Sequence, residues 1–314
     1  MNAATSVSSV LSSTTDHQRS LTMAAAVAPV VWGTTYLVTT QFLPPGRPMT
    51  ASVLRAVPAG LLLLALAPGI PPAGWRLKTY ALAMLNIGAF FPLLFLAAYR
   101  LPGGLAAVVG SLQPLVIAAL SLLLGWGRAA PKQVAWAVAA AVGVSVTTLT
   151  GAGGVDALGL TAAILGTVSM ACGILLTRRW GVPPGTHPLT STAWQLLLGG
   201  ATIAPLVPFV DHGAWHLSVS SVLGYAWLSV VGGAVAYSLW FRGARSLPAT
   251  NVALLGLLSP LTAAALGWVV LSQELSPLQC AGFALALAGS LAGQLKGQPA
   301  AGPRGRDASS PVHS

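Results

Sequence analysis

The sequence predicts an all-α integral membrane protein: ten transmembrane helices arranged as two inverted five-helix repeats around a central cavity. Three observations carry this reading. Of the 314 residues, 55 % are apolar and 6 % charged, whereas soluble domains carry roughly 25 % charged residues, too many for this chain to be one. Ten apolar runs of membrane-crossing length follow one another. The segment 101–143 recurs at 247–289 without a gap.

Crossing about 30 Å of hydrocarbon takes roughly 20 apolar residues per helix. The first run, 22–42, carries Trp32, Thr35 and Thr39 at i, i+3 and i+7, one helical face, and ends at Pro44-Pro45-Gly46. The second, 50–67, holds Arg55, the one charge inside a span, and stops at Pro68-Gly69 and Pro71-Pro72. The third, 79–99, places Asn86 and Phe90 at i, i+4 and ends before Pro102-Gly103-Gly104. The fourth, 103–124, has Gln113-Pro114 at its centre, and the fifth, 133–150, runs into Gly151-Ala152-Gly153-Gly154. The sixth, 157–177, contains Cys172, and Pro183-Pro184-Gly185 separates it from the seventh, 188–209. The eighth, 221–241, has Gly232-Gly233 and then Tyr237 and Trp240 on one face. The ninth, 248–270, repeats the polar-proline pair as Ser259-Pro260, and the tenth, 277–296, ends Gly-rich. None of these runs alternates, which excludes a β-barrel. The GxxxG at Gly289–Gly293 carries little weight for a dimer face in a chain with 35 glycines, and a monomer is expected.

Residues 1–21 and 297–314, rich in Ser, Thr, Gly, Pro and Arg, read as disordered cytoplasmic tails. The first lacks the charged-then-apolar order of a signal peptide.

Ten spans put both termini on one side. Loops on that side hold Arg19, Arg76, Lys78, Arg128, Lys132, Arg178, Arg179, Arg242, Arg245, Lys296, Arg304 and Arg306; the other side holds Arg47 and Arg100. Twelve against two, with Arg55 left over, accounts for all 15 basic residues. The positive-inside rule makes the basic side cytoplasmic. The net charge of +10 then reads as topology and contact with anionic lipid. Nucleic acid is not an expected partner, because the basic residues are scattered over short loops. Trp75, Trp126, Trp180 and Trp215 stand at span ends, as interfacial belts do.

The repeat pairs Leu101 with Leu247, Pro102 with Pro248, Gly110 with Gly256, Pro114 with Pro260, Pro131 with Pro277 and Gly143 with Gly289, all offset by 146. Two units follow, 22–150 and 157–296. Each has five spans, an odd number, so the second enters the membrane upside down. Inverted repeats build alternating-access transporters with a substrate site near the midplane.

Val31-Trp32-Gly33-Thr34-Thr35-Tyr36 in span one, Arg55 in span two, the Leu-Pro starts at 101 and 247, the mid-helix prolines and Gln273-Glu274-Leu275-Ser276 before the last helix together resemble the drug/metabolite transporter superfamily, specifically its EamA-domain exporters. The resemblance covers residues 22–296. It implies a basket of helices around a central cavity, in a bacterial-type inner membrane, exporting amino acids, aromatic ones included, or other metabolites. Arg128 departs from it, standing where the offset places Glu274 in the other half, a position often Glu in both halves of the family.

Polar groups at membrane depth are costly and usually face protein or a water-filled path. The candidate substrate-binding residues are therefore Trp32, Thr35, Arg55, Asn86, Phe90, Gln113, Tyr237 and Ser259. Each has a packing alternative: Asn86 and Gln113 as bonds between helices, Arg55 as a snorkelling side chain rather than a guanidinium for a substrate carboxylate. Pro114 and Pro260 free backbone carbonyls and, with Gly232 and Gly233, are candidate hinges. The expected path is lined by spans one, three, four, six, eight and nine.

The carboxylates (Asp16, Asp156, Asp211, Glu274, Asp307) and histidines (His17, His187, His212, His216, His313) all fall in loops or tails. Buried acid–base pairs and metal clusters are thereby removed. An enzyme is not expected, nor a cofactor, and a receptor is opposed by the ten spans and the repeat. Proton exchange normally uses a carboxylate or histidine at depth, so facilitated export is expected. A proton-coupled exporter of cationic drugs is the alternative, and it would lack its acid.

Overall fold

The computed structural model describes residues 19–126, 131–149, 156–212, 217–247, 255–273 and 276–295. The expectations for most of the two tails, for the Gly151–Gly154 break and for Arg128, Trp215, Pro248 and Glu274 fall outside these residues, as do the structural surroundings of the Pro114 side chain.

Every regular element among the described residues is helical. Seven helices are long and apolar enough to cross a membrane: α1 (Arg19–Phe42), α2 (Pro48–Leu66), α3 (Ala73–Arg100), α4 (Gly103–Leu123), α6 (Ala157–Trp180), α7 (Pro188–Val210) and α8 (Val219–Arg242). The remaining apolar helices are α5 (Pro131–Leu149), α9 (Leu258–Leu271) and α10 (Pro277–Leu295), whose uninterrupted apolar stretches are shorter. Leu61, Leu66, Leu123, Val219, Trp268 and Val269 are exposed, the outward apolar surface that a bilayer solvates.

The helices overrun the apolar runs at their polar ends. α1 starts at Arg19 rather than 22, so Arg19, Ser20 and Leu21 belong to the helix and not to the tail. α3 starts with a tight turn, Ala73–Trp75, followed by the amphipathic turn at Arg76. Backbone hydrogen bonding does not stop where the hydrocarbon does, and hydropathy alone cannot see these turns. Two basic residues pack on tryptophans at helix ends: Lys78 Nζ lies 4.7 Å from the Trp75 ring centre, and the Arg179 guanidinium 4.2 Å from that of Trp126.

Helix starts are set by side chains that satisfy the free N–H groups of the first turn. Asp156 accepts from Gly159 N at 2.7 Å and caps α6, and it also meets Arg100 Nη1 at 2.8 Å. Its carboxyl is held below the ordinary range, first by the Gly159 N–H and then by Arg100. Ser218 and Ser221 form a capping box on α8. The cap of α2 comes from far along the chain: Asp211, just past α7, accepts from Thr50 N at 2.6 Å and Thr50 Oγ1 at 2.7 Å. In return Thr190, in the first turn of α7, donates to Ala67 O just past α2, at 2.6 Å.

Among the described residues, two helix pairs touch closely through glycines of both partners. A methyl group at Gly143 of α5 would lie 2.5 Å from Gly282 O and 2.9 Å from Ala286 Cα of α10; one at Gly289 of α10 would lie 2.9 Å from Trp136 O and 2.8 Å from Ala140 N of α5. The contacts are reciprocal at an offset of 146: 143 and 289, 136 and 282, 140 and 286. Between α2 and α7, a methyl at Gly60 would meet Leu197 Cγ at 2.8 Å and one at Gly200 would meet Val57 Cγ2 at 2.7 Å. Here the offset is 140, which also aligns Pro48-Met49-Thr50 with Pro188-Leu189-Thr190. Backbones approach closely only where no side chain intervenes. Around the α2–α7 crossing, Leu63, Ile87, Phe91, Phe95, Leu196 and Leu228 form the largest buried apolar cluster.

Candidate functional site

Helices α1 and α4 are interrupted within their length, and α9 starts at a comparable turn. α1 breaks at Thr34, where Val31 O accepts from both Thr34 N (3.1 Å) and Thr34 Oγ1 (2.7 Å). α4 breaks at Leu112, one residue before Gln113-Pro114, with Leu112 N turning back to Val109 O at 3.2 Å. α9 begins after a turn at Leu257, ahead of Ser259-Pro260. Proline deletes one donor of the helical ladder and pushes the preceding turn open, which explains the break of α4 and the turn at the start of α9. The break of α1 has no proline in the turn that follows it, and the Thr34 hydroxyl closes it locally.

A further pair of helices widens instead of breaking. α3 passes through a π-helical stretch at Met84–Ala89 and α8 through one at Trp227–Val235. Wide turns leave carbonyls for side chains from other helices to use. Ser169 of α6 donates to Leu85 O at 2.8 Å, and Trp32 of α1 donates from Nε1 to Gly232 O at 2.9 Å. The first helix of each half thus holds the third helix of the other half at its π-helical stretch.

Between these interruptions lies a cavity of about 290 Å³. Of the expected site residues, Trp32, Thr35, Arg55, Phe90, Gln113, Tyr237 and Ser259 line it, together with Pro260 of the expected hinges. The lining comes from spans one, three, four, six, eight and nine, and also from span two through Arg55. The Trp32 ring lies 5.5 Å from those of both Tyr237 and Trp240, tilted by 56° and 59°, and Phe90 lies 5.8 Å from Phe91.

Arg55 is 5 % exposed. Its Nη1 donates to Thr35 Oγ1 at 3.2 Å, and its guanidinium carbon lies 4.9 Å from the Phe91 ring centre and 5.9 Å from that of Phe95. Its Nε–H is buried without an acceptor. A desolvated cation over an aromatic face gains roughly 2 kcal/mol, which holds the side chain in place but does not replace a counter-ion. Among the described residues no carboxylate lines the cavity. The buried acid nearest in sequence to a span, Asp211, is occupied with the first turn of α2.

Asn86 lies apart from the group: it is absent from the cavity wall, donates from Nδ2 to Gln195 Oε1 at 2.8 Å, and its Oδ1 is buried against Gly173 without a partner. Gly233 packs closely on Ala59: a methyl group there would lie 2.5 Å from Ala59 Cβ. Reasoning from the sequence passed over Gln195, Phe91 and Met170. Gln195 had a signal, since the 140 offset of α2 and α7 places it opposite Arg55 (55 + 140 = 195). Phe91 and Met170 had none in so apolar a chain.

Comparison with known proteins agrees with this architecture. A solved crystal structure superposes with a TM-score of 0.63 over 88 % of this chain and 97 % of that one, at 24 % identity, which establishes a shared fold. Protein PecM of Dickeya dadantii is 44 % identical over 258 residues, 82 % of this chain and 86 % of that protein. A probable amino-acid metabolite efflux pump of Salmonella typhimurium is 26 % identical over 284 residues, 84 % and 91 % of the two chains. An uncharacterized inner membrane transporter of Escherichia coli, YedA, is 24 % identical over 259 residues, 80 % and 82 %. The model of the EamA-like transporter family matches twice, over residues 20–149 and 157–292. With its apolar helices, its cavity and both halves matched, the chain belongs to the EamA-like transporter family, a multi-pass membrane protein of the drug/metabolite transporter superfamily.

Proposed function

We propose that this transporter exports small metabolites, amino acids foremost and aromatic ones among them, by alternating access and down the substrate's own gradient. The observation that carries this is the cavity built where helices of both halves break or widen, because discontinuous helices at mid-depth are where transporters bind substrate. The name of the Salmonella relative lends the substrate class. In this reading the chain crosses an inner membrane ten times as a monomer, its halves 22–150 and 157–296 are inverted repeats, and both termini are cytoplasmic. Support comes from the reciprocal glycine contacts of α5 with α10 and of α2 with α7, from the family model matching once per half, and from the twelve-to-two distribution of basic residues. The substrate is held by Trp32, Thr35, Arg55, Phe90, Gln113, Tyr237 and Ser259, with Asn86 joining α3 to α7 behind them. Pro114, Pro260 and the π-helical stretch at Gly232-Gly233 supply the flexing points.

A proton-driven exporter of cationic compounds fits less well. Arg55 repels a cation, and the described residues of the cavity wall include neither a carboxylate nor a histidine. The test is efflux of radiolabelled phenylalanine from proteoliposomes holding the full chain, with and without an imposed pH gradient. Efflux that equalises the two sides and ignores the pH gradient is expected. Accumulation driven by the pH gradient alone overturns the facilitator reading, and no movement of any amino acid in a panel overturns amino-acid export.

A further inference from the structure

We infer that Arg55 is the anion-binding group of the cavity, and that the preferred ligand is a carboxylate attached to a flat aromatic or conjugated body. This rests on the transporter reading above and narrows its substrate class. A guanidinium buried to 5 % exposure has one hydroxyl partner, two aromatic faces and an Nε–H with no acceptor. The side chain is fixed, and among the described residues none on the cavity wall neutralises its charge. Fixed donors that await an acceptor are complementary to a planar carboxylate, which a guanidinium holds through paired hydrogen bonds. Beyond Arg55 the large side chains of the wall are mostly aromatic, Trp32, Phe90, Tyr237 and Trp240 among them, set between small residues such as Ala106, Gly110 and Ala163. The Trp32 ring is tilted by 56° to Tyr237 and by 59° to Trp240, while Tyr237 stacks on Phe241 at 20°; the tilted Trp32 leaves faces and edges for a further ring. A cation in the same place would face Arg55 with nothing acidic to offset the repulsion.

The position opposite Arg55 in the repeat strengthens the assignment. At the matching place in α7 stands Gln195, a neutral amide engaged with Asn86. One half therefore carries charge to the cavity while its counterpart is spent on joining two helices, so the site is polarised: anion-binding on the α2 side, aromatic on the α8 side.

Two probes with the same ring and chain but opposite charge decide the matter, 3-phenylpropionate and phenethylamine. Binding to the purified full chain is read by the fluorescence of the cavity tryptophans, and efflux is read from proteoliposomes. Expected is binding of 3-phenylpropionate at least about tenfold tighter than phenethylamine, roughly 1.4 kcal/mol, with the difference abolished in Arg55→Gln and partly kept in Arg55→Lys. Phenethylamine bound as tightly, or a preference that survives Arg55→Gln, overturns the inference. The wild-type comparison stands even where the Gln variant does not fold. Efflux of phenylalanine with no binding of 3-phenylpropionate also overturns the inference while leaving the exporter reading in place. Loss of all transport by the wild type would instead sink the exporter reading.

Discussion

Trp32 shows how one side chain serves two tasks. Its ring stands on the cavity wall and its indole N–H closes a carbonyl left open by the π-helical stretch of α8. The two roles separate by substitution. Trp32→Phe keeps an aromatic face and drops the bond to Gly232 O; it should lower thermal stability by about 1 kcal/mol and leave part of the efflux. Trp32→Ala should remove the face too and take efflux to background while the protein still purifies as a folded species. Equal efflux by the two variants would mean that the ring does not touch substrate. The sequence made Trp32, Arg55 and Gln113 visible because a polar or bulky group stands out against an apolar span. The apolar lining residues, Phe91 and Met170 among them, carry no such contrast. Asn86 was legible as polar at depth but not as to direction. Pairing it with Phe90 at i, i+4 assumes 3.6 residues per turn, and the wider turn at Met84–Ala89 rotates the amide away from the face that Phe90 keeps.

Among the elements, boundaries set by Pro and Gly were legible almost to the residue, as at Pro48, Gly103, Pro131, Pro188 and Pro277. The turns beyond the hydrocarbon, Ala73–Trp75 and Arg19–Leu21, were not, because hydropathy reports lipid and not backbone hydrogen bonds. The break of α1 at Thr34 escaped for want of a proline. The α6 cap gives a pH dependence whose sign follows from its chemistry. Asp156 is held below its unfolded-state value by the Gly159 N–H and Arg100, so its contribution is fully present above the unfolded carboxylate value of about 3.9 and is lost as pH falls through the lower folded value. Asp156→Asn should therefore melt below wild type at neutral pH, and the gap should close in strong acid. A gap independent of pH would show that the carboxylate's charge is not what stabilises the turn.

For the whole molecule, the repeat at offset 146 was readable because prolines and glycines stay in register, and it led to the expectation of a cavity between two halves. The register of α2 with α7 was harder to read: its offset is 140, and the six residues of slippage fall before α8, where α7 runs four residues longer than α2 and the loop after it two residues longer than its counterpart. The proposed orientation follows from charge, twelve basic residues against two. A reporter active only in the cytoplasm, fused after residue 314, should give signal; silence there with activity from a periplasmic reporter at the same site would reverse the topology.

The glycine contact between α5 and α10 has a consequence for how the two halves can diverge. Each helix reads the other's backbone at positions that its own backbone supplies in return: 143 meets 282 and 286, while 289 meets 136 and 140. In the proposed inverted repeat, and in the vocabulary of oligomers, this seam is isologous, one surface used twice. A side chain gained at either glycine displaces the partner helix and with it the reciprocal contact, so the two positions are constrained as one. No such bond ties Arg55 to Gln195. In that proposed repeat the seam is what the halves share and the cavity wall is where they differ, α2 bringing the charge of Arg55 and α7 the brace of Gln195 to Asn86.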